Sequence, residues 1–313
     1  MLSRTAAQLY WMSRYLERAE NLARMLDVSY SLSLLPQSRG AAAEIGAPLV
    51  ITGSWQAFHQ KHAGLTADRL VDFMVLDLDN PSSIVSCLRC ARENAHAVRG
   101  KITAEMWENI NATWLEAQAL PRSDLADAGA CFDWVKERSH LFRGATYGTL
   151  QRNDAYWFIR LGTFIERADN TARILDVKAH LIGPGVAESA PDYYAWSALL
   201  RSLSAFEAYH EAYRDTLSAR RVAELLILRR DIPRSLRACC DEILQILPQI
   251  ESGEGAADRG RPVKRMAASL AASLQYGAID EILVEGLHRY LSHFLGEVSR
   301  LADSIHHAYL EAA

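Results

Sequence analysis

Apolar residues along this 313-residue chain recur every three or four positions, the spacing of one face of an α-helix. Nowhere do β-branched residues alternate with polar ones at the period of two that marks a strand. The pattern predicts an all-α fold. A first helix begins at a Ser3 or Thr5 cap and runs to about Leu35, where Pro36 stops it; a small, polar linker, Gln37 to Gly46, follows. A second helix covers roughly Pro48 to Lys61, with Trp55 and Phe58 on its apolar side, and a short one covers Asp68 to Leu78. In Asp79-Asn80-Pro81-Ser82-Ser83 an Asp/Asn cap precedes a proline, which has no amide hydrogen to satisfy, so a helix starts there. Its apolar side carries Ile84, Leu88, Ala91, Ala95 and Val98; its other side carries Arg89, Arg92, Glu93 and Arg99, and Gly100 ends it. Thr103 caps the next helix, to about Ala119 before Pro121, and another spans Cys131 to about Gly148.

The second half follows the same order. Asp154 caps a long helix to Ile182, terminated by Gly183-Pro184-Gly185. Asp192 caps a helix holding Trp196, Leu199, Leu203 and Phe206, and Val222 to Leu228 repeats the apolar pattern of Leu70 to Leu76. A loop is expected from Ser252 to Gly260, and the last helices cover Pro262 to Gln275 and Ile279 to Tyr309.

One segment occurs twice. Glu17-Arg18-Ala19-Glu20-Asn21-Leu22-Ala23-Arg24-Met25-Leu26-Asp27-Val28 returns 149 positions later as Glu166-Arg167-Ala168-Asp169-Asn170-Thr171-Ala172-Arg173-Ile174-Leu175-Asp176-Val177. Asp231-Ile232-Pro233-Arg234-Ser235 likewise follows Asp79-Asn80-Pro81-Ser82-Ser83 by 152 positions. These offsets imply an internal duplication: repeats of about six helices, near 1–150 and 151–313, related by an approximate two-fold axis in one large bundle-like domain with the two Glu-Arg helices side by side.

Within each copy, Glu17, Asn21 and Arg24 (and Glu166, Asn170 and Arg173) share one helix face at i, i+4 and i+7. A solvated face would explain the charges. It does not explain why asparagine, a poor helix former, recurs at one place, so a partly buried polar row is the better reading. Half the residues are apolar and 23% charged, ordinary for a globular protein, and the net charge of −4 gives no basic footprint for nucleic acid. No apolar run is long enough to span a bilayer, and five scattered cysteines do not suggest a disulfide framework; the chain reads as a reduced, cytoplasmic protein.

Candidate chemistry is sparse. Glu17 and Glu166, with guanidinium groups near them, could form an acid/base pair. Neither has a histidine three residues on, so the Glu-x-x-His spacing of helical di-metal sites is missing and no metal is expected. A buried ion-pair network holding the halves together is the preferred reading. Ala91-Arg92-Glu93-Asn94-Ala95 is a third polar knot, with only Cys240-Asp241-Glu242 loosely similar in the second half. Cys87-x-x-Cys90, His59-x-x-His62 and His306-His307 lack companions at ligand spacing, and no phosphate loop or nucleophile elbow is present. No cofactor is expected.

Tyr10-Trp11-Met12-Ser13-Arg14-Tyr15-Leu16-Glu17-Arg18-Ala19-Glu20-Asn21 resembles the amino-terminal signature of the bacterial alpha-E family. Asn80-Pro81-Ser82-Ser83-Ile84, the Arg92-Glu93-Asn94 knot, Trp107 with Asn111, and Arg160 to Asp169 are similar to that family's pattern too. Thr163, where a basic residue like Arg14 is expected, and His96, where arginine is frequent, depart from it. The resemblance implies an accessory partner of a circularly permuted ATP-grasp ligase, in company with a transglutaminase-like protein, handling a peptide-like substrate. In that role Arg18, Arg92 and Arg167 would grip carboxylates or phosphates, and Asn21, Asn94 and Asn170 would bond backbone amides. Arg14, Arg24, Glu93, Asp169 and Arg173 complete the candidate polar network. The alternatives are an amide-transferring or amide-hydrolysing enzyme using Glu17 and Glu166, and a purely structural scaffold.

Overall fold

In a computed structural model, which describes residues 1–33, 45–120, 128–179, 190–250 and 256–311, all regular structure is helical; no strand occurs among the described residues. The chain divides into two compact units: Trp11–Tyr156, and Met1–Tyr10 together with Trp157–Ala313.

The first unit takes most of helix α1 (Ser3–Ser33), then α2 (Ala47–Ile51), α3 (Trp55–Lys61), α4 (Ala67–Val75), α5 (Ile84–Ala97), α6 (Ala104–Gln118) and α7 (Ala128–Thr149). The second takes most of α8 (Asp154–Val177), then α9 (Ala190–Ser202), α10 (Phe206–Tyr213), α11 (Ala219–Leu228), α12 (Leu236–Ile250), α13 (Ala256–Tyr276), α14 (Ile279–Glu285) and α15 (Leu287–Ile305). A π-helical turn, His306–Leu310, follows.

Short apolar helices form the heart of each unit. Leu70, Val71, Phe73, Met74 and Val75 of α4 are buried, and so are Val222, Ala223, Leu225, Leu226 and Ile227 of α11, the residues 152 positions later in each case. A helix buried over so much of its circumference contributes through apolar area removed from water, and helix propensity matters little to it. The helix starts are matched as well. Thr66 and Ser218 cap α4 and α11 by accepting the backbone N–H three residues on. Ser83 and Ser235 do the same for α5 and α12, at 3.2 Å and 3.0 Å.

Several expected elements differ in detail. Ser83, rather than Asp79 or Asn80, caps α5. Asn80 instead closes the turn before it, accepting the Ser82 N–H at 3.0 Å and donating to the Phe73 carbonyl at 3.1 Å. At the start of α8, it is the Asn153 side chain that accepts the Ala155 N–H, at 3.0 Å. The helix expected over 48–61 is two helices, because the chain turns at Gly53 with φ +67°, in the left-handed region. Phe58 is fully buried, but Trp55 remains 42% exposed. Gly286, at φ +100°, splits the final expected helix into α14 and α15 in the same way. The helix around Trp196 stops at Ser202, and Phe206 opens a new one; it also begins at Ala190, so Asp192 lies within its first turn. Part of the loop expected over 252–260 is helix, since α13 already begins at Ala256. Pro36, Pro121 and the Gly183-Pro184-Gly185 stop lie outside the described residues. No helix among the described residues is long and apolar enough to cross a membrane.

Replacing Ser83 or Ser235 by alanine removes an N-cap, so each variant is expected to lose about 1 kcal/mol of stability in urea denaturation. Ser235→Ala should lose more, because the Ser235 hydroxyl also donates to the Arg229 carbonyl.

Candidate functional site

The Glu17/Asn21 row is buried. Glu17 is 2% exposed, Glu20 0% and Asn21 3%, so the first Glu-Arg helix presents carboxylates to the protein interior. An ionised carboxylate so placed must have its oxygens fully satisfied. Both Glu20 oxygens are. Oε1 pairs with Arg24 one turn along, at 2.8 Å. Oε2 accepts the Ser139 hydroxyl at 2.6 Å and a guanidinium N–H of Arg143, both from α7. Arg143 also lies 3.5 Å from Glu17, and Lys136 joins Asp27 at 2.8 Å. Residue numbers fall along α1 as they rise along α7, so the two helices pair antiparallel through a ladder of charges.

Sequence reasoning did not single out Ser139 or Arg143. The signal was available: Lys136, Ser139, His140 and Arg143 stand at i, i+3, i+4 and i+7, one polar face with the spacing of the Glu17 row.

In the second unit Glu166, Arg167 and Asn170 are buried at 5%, 8% and 9% exposure. Asp169 and Arg173, the counterparts of Glu20 and Arg24, form a bidentate pair at 2.7 and 3.1 Å near the surface. Arg167 and Arg160 both stack on Phe164, and Arg160 reaches Glu242 on α12. Glu17 and Glu166 belong to different units.

The third polar knot is arranged differently, at the surface of the first unit. Arg92 donates through Nε to Asn111 Oδ1 on α6 at 3.1 Å, and its guanidinium lies 5.8 Å from the Trp107 ring centre. Arg99 stacks on the same indole at 5.3 Å, and the His96 ring stands 5.7 Å from it. Glu93 is exposed, and Asn94 is turned back to its own helix, donating to the Cys90 carbonyl at 2.7 Å. On α1, Arg14 stacks on Trp11 and Arg18 on Tyr15. Burial raises the Tyr15 phenol pKa, and nearby Cys90 adds to that effect.

The remaining motifs have structural uses. His59 packs edge-on against Trp55, and His62 lies on Phe58. All five cysteines are free thiols; burial pushes Cys131 up to about 11, so it is no ready nucleophile. Among the described residues no group of three or more His, Cys, Asp or Glu could hold a metal ion. Lys61 bridges Asp77 and Asp79 at 2.7 and 2.9 Å beside a hollow lined by Asp72, Leu76 and Leu78.

These features describe a protein whose described regular structure is helical and whose Glu-Arg helices carry buried carboxylates. The chain belongs to the Alpha-E family: that family's model, described as a predicted alpha-helical domain with a conserved ER motif, matches residues 1–310. Uncharacterized proteins of Mycobacterium bovis (Mb2597) and Mycobacterium tuberculosis (Rv2567) are each 24% identical to it over 315 aligned residues, 94% of this chain and 35% of theirs. The chain thus spans about a third of the length of the curated relatives it matches. No solved structure matches it significantly.

Two outcomes follow from this geometry. Glu20→Gln removes the charge that Arg24 and Arg143 neutralise; because both arginines retain some contact with water, the expected loss is about 2–3 kcal/mol, below that of a fully buried pair. Asp169→Asn breaks a surface pair and should cost under about 1 kcal/mol, measured in the same denaturant series. At the carboxyl-terminal end, Glu311 accepts from His307 at 2.9 Å, raising the imidazole pKa and lowering that of the carboxyl. The pair's contribution is lost as pH rises through the raised His307 value, and lost again as pH falls through the lowered Glu311 value. In a ring-proton NMR titration, Glu311→Gln should bring the His307 midpoint down towards 6.5, its ordinary value.

Proposed function

We propose that this protein is the accessory partner of an ATP-grasp-type amide ligase, and that it holds the ligase or its peptide-like substrate while the ligase supplies the nucleotide chemistry. The observation that carries this reading is the length of the mycobacterial relatives: the matched region is 35% of their chains, so this helical domain occurs as one part of a larger polypeptide. A domain joined to others in one polypeptide commonly serves the same chemistry as its neighbours. The absence of a phosphate loop from the sequence fits a protein that leaves ATP to a partner.

Among the arginines assigned to gripping, Arg92 is best suited. Asn111 fixes its Nε, which leaves the two terminal nitrogens to meet a carboxylate end-on. Arg167, Asn21 and Asn170 are buried and support the helices that carry the surface. Glu17 and Glu166, at 2% and 5% exposure, do not stand at a solvent-reachable position suited to acid/base work on an amide. The scaffold reading keeps one observation of its own, the Glu20 clamp, which fixes the register of α1 on α7.

A tagged pull-down from native cells tests the partner reading. Recovery of an ATP-grasp protein in near-equal amount is expected, as is stimulation of its ATP turnover by this chain and a loss of that stimulation in Arg92→Ala. Recovery of this chain alone at every salt concentration would end the reading. A Glu17→Gln variant that melts earlier but still binds the ligase would confine the Glu-Arg row to a scaffold role.

A further inference from the structure

We propose that the cationic face around Trp107, where α5 meets α6, is a docking site for an extended, carboxylate-rich peptide segment. The inference rests on the partner reading for the source of that segment, and on local geometry for its chemistry.

The chain as a whole is acidic, with net charge −4, yet this stretch has the opposite sign. Between positions 89 and 101 lie Arg89, Arg92, Arg99 and Lys101, opposed only by Glu93. None of these four cations forms an ion pair with a carboxylate among the described residues. Arg92 and Arg99 nonetheless crowd one indole, at 5.8 and 5.3 Å, with the His96 ring at 5.7 Å. Cations gathered around one ring without carboxylate partners leave a positive potential there, which draws an anion. On α6, Trp107, Asn111 and Trp114 follow at i, i+4 and i+7, and all three are partly exposed. Glu108 lies about 100° round the helix from Trp107, and Glu105 lies further still, so neither carboxylate shares that stripe.

The dimensions favour a linear ligand over a single small anion. Arg89, Arg92 and His96 share one side of α5, and seven residues of helix advance about 10 Å. An extended peptide covers that distance in about three residues. Acidic side chains at alternate positions of such a segment would meet successive cations, while Asn111 and the indole of Trp107 offer an amide and a flat apolar surface to its backbone. A peptide rich in glutamate or aspartate fits both the length and the sign of this face.

The test uses the full chain and a tetraglutamate peptide, followed by tryptophan fluorescence and by calorimetry at low ionic strength. Saturable binding is expected, weakening as salt rises. It should fall at least tenfold in Arg92→Ala/Arg99→Ala, and the tryptophan signal should vanish in Trp107→Phe while calorimetric binding persists. Arg99→Gln alone, at an exposed position in the short 3-10 turn Arg99–Lys101 after α5, should leave the melting temperature unchanged and still weaken binding several-fold. The proposal fails if tetraglutamine or tetralysine binds as well as tetraglutamate, or if the double variant binds within twofold of the parent. It also fails if inorganic phosphate or a thymidine tetranucleotide binds as tightly, which would mark a general anion or nucleic-acid surface. Peptide binding without recovery of a ligase would remove the partner reading and leave the docking site standing; the reverse result would do the opposite.

Discussion

A carboxylate with no access to water organises the first unit. Glu20 accepts from Arg24, Ser139 and Arg143, and those donors come from two helices separated by more than a hundred residues of chain. Burying that charge is unfavourable unless all of its partners are in place, so the interaction tolerates one register of α1 on α7 and penalises the others. Asp27 with Lys136 extends the same ladder towards the end of α1. Helix propensity alone would let α1 form and slide; the charge ladder makes its position specific. A hydrophobic core then closes around the fixed pair, with Leu16, Ala19, Leu22, Ala23 and Leu26 all buried along α1.

The two similar Glu-Arg segments meet different local surroundings. Asp169 is one methylene shorter than Glu20 and satisfies itself with Arg173 on its own helix, near the surface. The apolar devices changed far less. The buried pattern of α4 returns in α11, and the Ser83 cap returns as Ser235, because a core position tolerates few chemistries and a cap requires a short side chain bearing oxygen. Surface positions are freer. Where α5 bears Arg89, the corresponding place on α12 bears Asp241, close to Arg230 and Arg237; where α5 bears Cys90, α12 bears Glu242, paired with Arg160. The cationic face is therefore a property of the first unit, and positions with matching sequence in the two units carry different polar surfaces.

How far the sequence was legible depended on the range of the interaction behind each feature. The helical class, the cap at Thr103 and the apolar face of α5 were readable because spacing within a few residues determines them, whereas the cap of α5 fell on Ser83 and not on Asp79 or Asn80. Helix ends were read less well. Gly53 and Gly286 interrupt segments whose apolar periodicity continues across them, and a left-handed glycine leaves no mark in that periodicity. The recurrence of asparagine in the Glu-Arg rows correctly pointed to burial, since a costly residue retained twice in one chain suggests a polar group that needs a partner.

By itself, then, the sequence determined the all-α class, the local devices that recur in both halves, and the burial of Glu17, Asn21, Glu166 and Asn170. Tertiary structure decided which carboxylate became the buried anchor. Glu20 and Asp169 look equivalent on their own helices, and only Ser139 and Arg143, brought from a distant helix, distinguish them. It likewise decided that Arg92 and Arg99 both reach the Trp107 ring, where the sequence shows only a charged helix face. Periodicity reports the direction in which a side chain leaves its own helix; what it meets there depends on how the helices pack.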